Sequence, residues 1–572
     1  MTAPLPRDRL AAGTIEAYEQ KAQALLDAYR TGTPDAMERH YRLTWHRRAW
    51  HAMRRYVQLD LGKRPGDAID DIDITIEDAR QLIAAEHGFE NWIELQAFAA
   101  LTPRGVPMAA APVRLLRSDD EQALTEFSSR DWSAVLRALE ARPGAVLDAH
   151  GQMTDDALAA VARIGTVAAL RLGNSPITDA GLQQLEHLPA LQHLDVSQTV
   201  ITDAGLSVLR TLPALESLSL SMTDVTDAGM THLRECALLR RVNLMWTRTG
   251  DGAIAALAGK ASLTHFWSGN HVTDVGLAML HALPVFTSWH GDEPELPFFN
   301  YDSGPNLLSL RGSFTDEGMR HIAALHGLWG LNLDDSALQL TARAMVPLIS
   351  LPRLGRLAAD PKDDWMPHIA AMPALRFLGA QDTSAGDDGF EALSESQSIE
   401  HIWGRRCHNL RTRGFRALAR MPTLRGLSVS CLNVSDDGVA LLQEFPALRE
   451  LMPIDVPDAG YRHIGRCVNL EALLLMYCRD TTDAATEHIV GLSNLRRYLN
   501  SYTSITDRTP LLLSGMNALA EITFDACHNL TDAGVAALAR LPRLKELRVA
   551  GNRLTPKVAS MFSSGVTVHY SR

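Results

Sequence analysis

Three histidines, His40, His46 and His51, lie close together in the 572-residue chain. Their spacings of six and five do not place them on one helix face, where neighbours stand three or four apart, so they do not make a metal-ligand set. Aspartates recur in Thr-Asp pairs such as Thr178-Asp179, where the position argues for helix capping rather than acid-base work. The phosphate-cradling GxxxxGK[ST], the zinc-binding HExxH, the nucleophile elbow GxSxG and a paired CxxC do not occur. No catalytic residue, cofactor or metal is therefore expected. Non-covalent recognition is the chemistry that fits, and Trp, Tyr and Arg are the residue types that dominate it.

The elements that would position such residues are set by a repeat. ITDAGL at 177–182 and 201–206, VTDAGM at 225–230 and LTDAGV at 530–535 are its cleanest copies, and the period is about 24 residues. In one unit Leu191, Leu194 and Val196 alternate with variable residues, which is strand spacing, while the GLxxLxxL segment that follows has the spacing of a helix face. Thr178, Thr202 and Thr226 are placed to cap the helix amides, and the Asp after each puts negative charge at the positive end of the helix dipole. Pro189 and Pro213 then end the helix and return the chain to the next strand. Neither element is long enough to stand alone, so stacked leucines must form one continuous core.

Over roughly residues 150–572 this pattern resembles the leucine-rich repeat family, in the strand-plus-helix subclass typified by the ribonuclease inhibitor and F-box substrate receptors. Cys407, Cys478 and Cys527 fall after the strand and Cys236 and Cys467 at the helix end, where the cysteine-containing version of the repeat puts that residue. The resemblance implies an α/β solenoid, a curved horseshoe with parallel strands on its concave face and helices on its convex face.

Strand alternation selects the side chains that flank the core leucines and face outward. These are His193 and Asp195, Ser217 and Ser219, then Arg241, Asn243 and Met245, then His265 and Trp267, then Thr287 and Trp289. Further along come Phe377, His401, Trp403 and Arg405, then Met452 and Met476. Read this way, Trp267 and Trp289 occupy equivalent positions in successive units, so their rings are expected side by side, with Met245 and Trp246 extending the surface by one unit. From Gly291 to Asn306 the chain inserts GDEPELPFFNYDSGPN, bringing Phe298, Phe299 and Tyr301 next to that patch. Insertions on a rigid scaffold are where binding tends to sit. This aromatic patch, with Arg241 and His265 beside it, is the first candidate binding surface, and Trp403 with Arg405 is a second. The competing reading is that the rings fill space between strands and insert as a local core. Units around 334–387 are degenerate in sequence.

Residues 1–100 depart from the repeat and read as a helical domain. Ala79, His87, Gly88, Phe89, Trp92 and Leu95 within 78–98 resemble a small helical module that precedes bacterial ankyrin-repeat arrays, which implies a bacterial origin and no nameable activity. Residues 101–115 are expected to be a linker, 116–153 a helical cap, 154–554 the repeat array, and 555–572 a C-terminal cap. Residues 39–64 hold eight basic residues against one acid, interleaved with Tyr41, Trp45, Trp50 and Tyr56, whereas 65–100 hold nine acids against one Arg. Packing of these two stretches on each other is the simpler reading, and a net charge of −12 disfavours nucleic acid.

The six cysteines fit buried apolar groups better than a disulfide framework. The first thirteen residues lack an apolar signal-peptide core, and no run is long enough to cross a bilayer. A cytoplasmic scaffold that recognises a protein partner through its concave face is the function expected, with self-association through the helical domain as a further contact. Two alternatives stay open. One is a substrate-recognition adaptor of ubiquitin-ligase type, although the first hundred residues show no LPxxL-type F-box core. The other is an enzyme whose activity sits in the N-terminal domain.

Overall fold

The computed structural model describes residues 15–43, 53–54, 57–58, 61, 73–86, 89, 91–101, 108–118, 125–289, 291–292, 294, 296, 304–333, 340–476, 478, 480–551 and 553–571. His46, His51, most of the basic stretch, Phe298, Phe299 and Tyr301 lie outside the described residues. The chain divides into two compact units, Met1–Arg248 and Thr249–Arg572.

In the first unit, helices α1 (Ile15–Thr31), α2 (Pro34–Leu43), α3 (Ile76–Glu86) and α4 (Trp92–Leu101) come first. The apolar faces of these helices meet in a core that includes Tyr18, Tyr29, Met37, Ile83, Trp92 and Leu95. Pro34 begins α2, where its missing amide costs nothing. Before α3, Thr75 and Asp78 bond reciprocally: Thr75 N donates to Asp78 Oδ2 at 2.8 Å and Asp78 N to Thr75 Oγ1 at 3.2 Å.

The expected linker over 101–115 is in part a strand. Strand β1 (Met108–Leu116) pairs antiparallel with β2 (Thr125–Asp131) and with β3 (Val146–Asp148). The expected helical cap over 116–153 is accordingly a hairpin strand, one helix, α5 (Trp132–Glu140), and the first repeat strand. Ala and Pro in AAAPV do not favour a strand, but the exposed first edge of a parallel sheet favours covering, and the pairing overrides the local preference. The hairpin also contacts the helical module, since the Arg130 guanidinium lies 3.5 Å from the centre of the Phe89 ring.

From β3 onward the strands run parallel. Strands β4 (Ala169–Arg171), β5 (His193–Asp195), β6 (Ser217–Ser219) and β7 (Arg241–Asn243) follow in register, with Leu147, Leu170, Leu194, Leu218 and Val242 aligned as buried central residues. The return segments are shorter and tighter than a full α-helix: Asp179–Leu182 is one α turn continued by a 3-10 turn over Gln183–His187.

The second unit repeats this plan. Its strands are β8 (His265–Trp267), β9 (Leu307–Ser309), β10 (Gly330–Asn332), β11 (Arg356–Ala358), β12 (Phe377–Gly379), β13 (His401–Gly404), β14 (Gly426–Ser430), β15 (Glu450–Ile454), β16 (Ala472–Met476), β17 (Arg497–Ser501), β18 (Glu521–Asp525), β19 (Glu546–Ala550) and β20 (Thr567–Ser571). Each pairs in parallel with the next. The C-terminal cap expected over 555–572 therefore contributes one further parallel strand, β20.

The Thr-Asp pairs have two functions. Thr178 accepts from the Gly181 amide as a helix cap, as the sequence implies. The Asp, however, reaches into the next unit: Asp179 Oδ1 accepts from Thr202 N at 2.8 Å and its Oδ2 from Thr202 Oγ1 at 2.6 Å. Asp155 grips Thr178 in this way, Asp203 grips Thr226, Asp274 grips Thr315, Asp483 grips Thr506 and Asp532 grips Thr555. The glycine of the motif follows from the same contact. A Cβ at Gly205 would stand 2.5 Å from Asp179 Oδ1, so only glycine lets the carboxylate reach the cap.

Candidate functional site

On the strand face of the first unit, Arg241 is exposed and His193, Ser217, Ser219, Asn243 and Met245 are half-buried. Asn243 Oδ1 accepts from Met245 N at 3.0 Å, and Asp195 Oδ1 accepts from Ser197 N at 2.9 Å. These two side chains fasten the turn after their strands and are less available to a partner than their position suggests. Trp246 is not a strand residue: with Asn174, Gln198 and Met222 it forms a row in left-handed conformation, with φ between 57° and 64°. The backbones of Asn174, Gln198 and Met222 are held by the following repeat, as when Met222 N donates to Met245 O at 2.8 Å. Met222 is also one of the exposed large apolar residues. Asn174 hints at this conformation by residue type, but Met222 and Trp246 do not.

On the strand face of the second unit, His265 and Trp267 stack with ring centres 5.7 Å apart, and both are half-buried. His265 Nδ1 lies 2.9 Å from Thr264 Oγ1. The expected pairing of Trp267 with Trp289 is not present. Strand β8 pairs directly with β9, so the neighbour of Trp267 is Ser309, whereas Thr287 ends a helical turn over Pro284–Thr287 and Trp289 follows it. Pro284 is the physical reason, since it starts a helical turn where the repeat pattern predicts a strand. The Arg353 guanidinium stacks on the Trp289 ring at 4.8 Å, and the Gly327 backbone packs close to the start of that residue. Trp289 thus follows a helical turn rather than lying on a strand, and it is half-buried.

Trp403, the centre of the second candidate patch, is 7% exposed. Its indole Nε1 donates to Gln381 Oε1 at 2.9 Å, and its strand neighbours are the small residues Gly379 and Ser428, which leave room for the ring. It joins Phe377, Met452, Ala472 and Leu474 in an apolar cluster on the strand face, with Leu296, Ile454, Met476 and Leu499 packed against it. This is a second, outward-facing apolar layer, because the solenoid's interior is already filled by Leu378, Ile402, Leu427, Leu451 and Leu473. Beside it burial pulls the His401 imidazole down to about 4, only partly opposed by Glu400. Arg405 is half-buried next to this cluster in sequence.

Sequence reasoning missed Leu296, Arg353 and Arg376. Arg376 donates through Nη1 to the Pro294 carbonyl at 3.2 Å while its Nε meets Glu400 at 2.8 Å, and Arg353 Nη1 donates to the Gly291 carbonyl at 3.1 Å. The signal available was the insert's acidic, proline-containing composition, which pointed to the segment but not to what it touches.

All six cysteines are free. Burial pushes the thiols of Cys431, Cys467 and Cys478 up to about 12 and that of Cys527 up to about 11. Among the described residues, no three His, Cys, Asp or Glu side chains converge to hold a metal ion, and no helix is long and apolar enough to cross a membrane.

Residues 187–209, which include β5 and the Thr202 end of the Asp179–Thr202 bridge, match the family described as Leucine Rich repeat. Among solved structures the chain is similar to an internalin from Listeria monocytogenes str. 4b F2365, at 17% identity over 69% of this chain and 93% of that one, with a TM-score of 0.30. It is also similar to TLR13 in its complex with ssRNA13, at 17% identity over 69% of this chain and 68% of that one, with a TM-score of 0.40. A third is the yeast complex of Rad7 and Elc1, at 13% identity over 68% of this chain and 83% of that one, with a TM-score of 0.32. With a matched repeat at 187–209 and the same strand, Asp-Thr bridge and short helix recurring in both units, the fold is an α/β leucine-rich repeat solenoid.

Proposed function

We propose that the chain is a non-enzymatic scaffold that binds a protein partner through the strand face of its repeats. The observation that carries this reading is the composition of that face. Trp267, Phe377, Trp403, Met452 and Met476 point out of a core that the leucines on the other side of the strands already complete. Aromatic and Met side chains on a rigid strand lose little entropy on binding and supply large contact area. Of these, Trp267, with its stacked His265, and Met476 are half-buried, whereas Phe377, Trp403 and Met452 are buried. Arg241 is an exposed cation on the strand face of the first unit. The acids of the repeat support the non-enzymatic reading, since their oxygens are engaged by Thr groups of the next unit.

The buried, high-pKa thiols suit a reducing compartment, so a cytoplasmic location belongs to the same proposal. Self-association through the helical module belongs to it as well, with the exposed Ile93 of α4 as its contact. The test is capture of partners from a lysate of the source organism by the wild type, by Trp267→Ala and by the helix-face variant Val275→Ser. Proteins retained by the first and third and lost by the second support the reading. Loss with Val275→Ser alone would move the binding surface to the helices.

A further inference from the structure

Between β8 and β9 the chain makes a detour. His265 pairs with Leu307, a separation of 42 residues, where Ser217 and Arg241 of successive strands are 24 apart. Part of this detour returns to the strand face. Leu296 packs against the cluster of Phe377, Trp403, Met452, Ala472 and Leu474, and Arg353 and Arg376 hold the carbonyls of Gly291 and Pro294. The partners of the two carbonyls lie 62 and 82 residues away in sequence, so the contacts are tertiary rather than local.

The chemistry of this contact is that of peptide recognition. Two guanidinium groups grip main-chain carbonyls, which any sequence offers, while one aliphatic side chain enters an apolar layer and supplies selectivity. Pro294 has no amide to leave unsatisfied and stiffens the segment. The segment DEPEL is acidic at three of its five positions, and arginines meet the chain at its Pro294 carbonyl and at the Gly291 carbonyl just before it.

We propose that the strand face of β12 to β17 is a docking groove for an extended, acidic, proline-containing peptide with an aliphatic anchor, and that the chain's own Gly291, Pro294 and Leu296 engage it as an internal competitor. This rests on the scaffold reading and adds to it the class of partner and a means of regulation: a partner segment binds by displacing the chain's own. Affinity for that segment is reduced by the fraction of molecules whose groove is already filled.

The experiment titrates the synthetic peptide GDEPELP, with blocked ends, into three full-length proteins and follows binding by calorimetry. One is the wild type. The second has residues 292–300 replaced by a Gly-Ser stretch of equal length, and the third is Leu296→Asp, which keeps the chain length and the backbone contacts. Folding of each variant is checked by circular dichroism, and the single substitution serves if the replacement does not fold. Both variants are expected to bind the peptide at least tenfold more tightly than the wild type. Adding Arg376→Ala to either, or changing the peptide's leucine to alanine, is expected to weaken binding at least tenfold. No binding to a folded variant, equal binding by variant and wild type, or indifference to the peptide's leucine overturns the proposal. The scaffold reading fails separately, in the capture comparison with Trp267→Ala, because that side chain lies outside β12 to β17.

Discussion

Replacing Asp179 by alanine tests whether the repeat's aspartate joins units or only stabilises its own helix. The carboxylate accepts from Thr202 N at 2.8 Å and from Thr202 Oγ1 at 2.6 Å. Charge-assisted hydrogen bonds contribute about 1.5–3 kcal/mol each when buried, but here water replaces the lost partner, so the pair is worth about 2 kcal/mol. Asp179→Ala is expected to lower stability by about that amount in urea unfolding, with the slope unchanged. A double-mutant cycle identifies the cause. Coupling between Asp179→Ala and Thr202→Val, across the unit boundary, should be about 1 kcal/mol or more. Coupling between Asp179→Ala and Thr178→Val, within one cap, should fall below about 0.5 kcal/mol. A purely dipolar role predicts no coupling to Thr202 and a loss that disappears at high salt. That outcome would refute the bridge.

Three other expectations follow from the same geometry. Gly205→Ala places a Cβ 2.5 Å from Asp179 Oδ1, so it should destabilise by about 2 kcal/mol, and by much less in an Asp179→Ala background, as read by urea unfolding. Trp403→Ala should cost about 3–5 kcal/mol as a buried aromatic, whereas the half-buried Trp267 should cost far less on truncation, and comparable losses at both would remove Trp267 as a binding residue. His401 is held neutral with its pKa near 4, so the unfolded chain takes up a proton below about 6.5 while the folded chain does not. Its stabilising contribution is complete above pH 6.5 and is lost as pH falls to about 4, a change of about 3 kcal/mol. The difference in stability between wild type and His401→Phe should shift by that amount across this window, and a pH-independent difference would show that His401 is not buried neutral.

The repeat was legible because it is written in spacing. Leucines alternating with variable residues, a Thr to cap and a Pro to stop dictate strand, turn and helix wherever they recur. The bridging role of Asp179 was not legible from one unit, since its partner Thr202 is 23 residues away and its position fits a helix-dipole role equally well. Trp289 was misplaced for a related reason: counting units through a detour assigns a strand where Pro284 starts a helical turn, and nothing in the local pattern warns that β8 skips to β9. Residues 108–115 read as linker because their Pro and Ala content argues against a strand, while the pairing that makes them one is supplied by β2 and β3. For the candidate site, residue types identified Trp267 and Trp403, but their different roles depend on burial, which only the packing of Leu296, Phe377 and Met452 decides.

The central claim is that the partner sits on the strand face. Placing a photo-crosslinking phenylalanine analogue at His265, on that face, or at Val275, which is 63% exposed on a helix, tests it inside the source organism. The account predicts a discrete protein adduct from position 265 and none from position 275. An adduct from 275 alone, or none from either position, would contradict it.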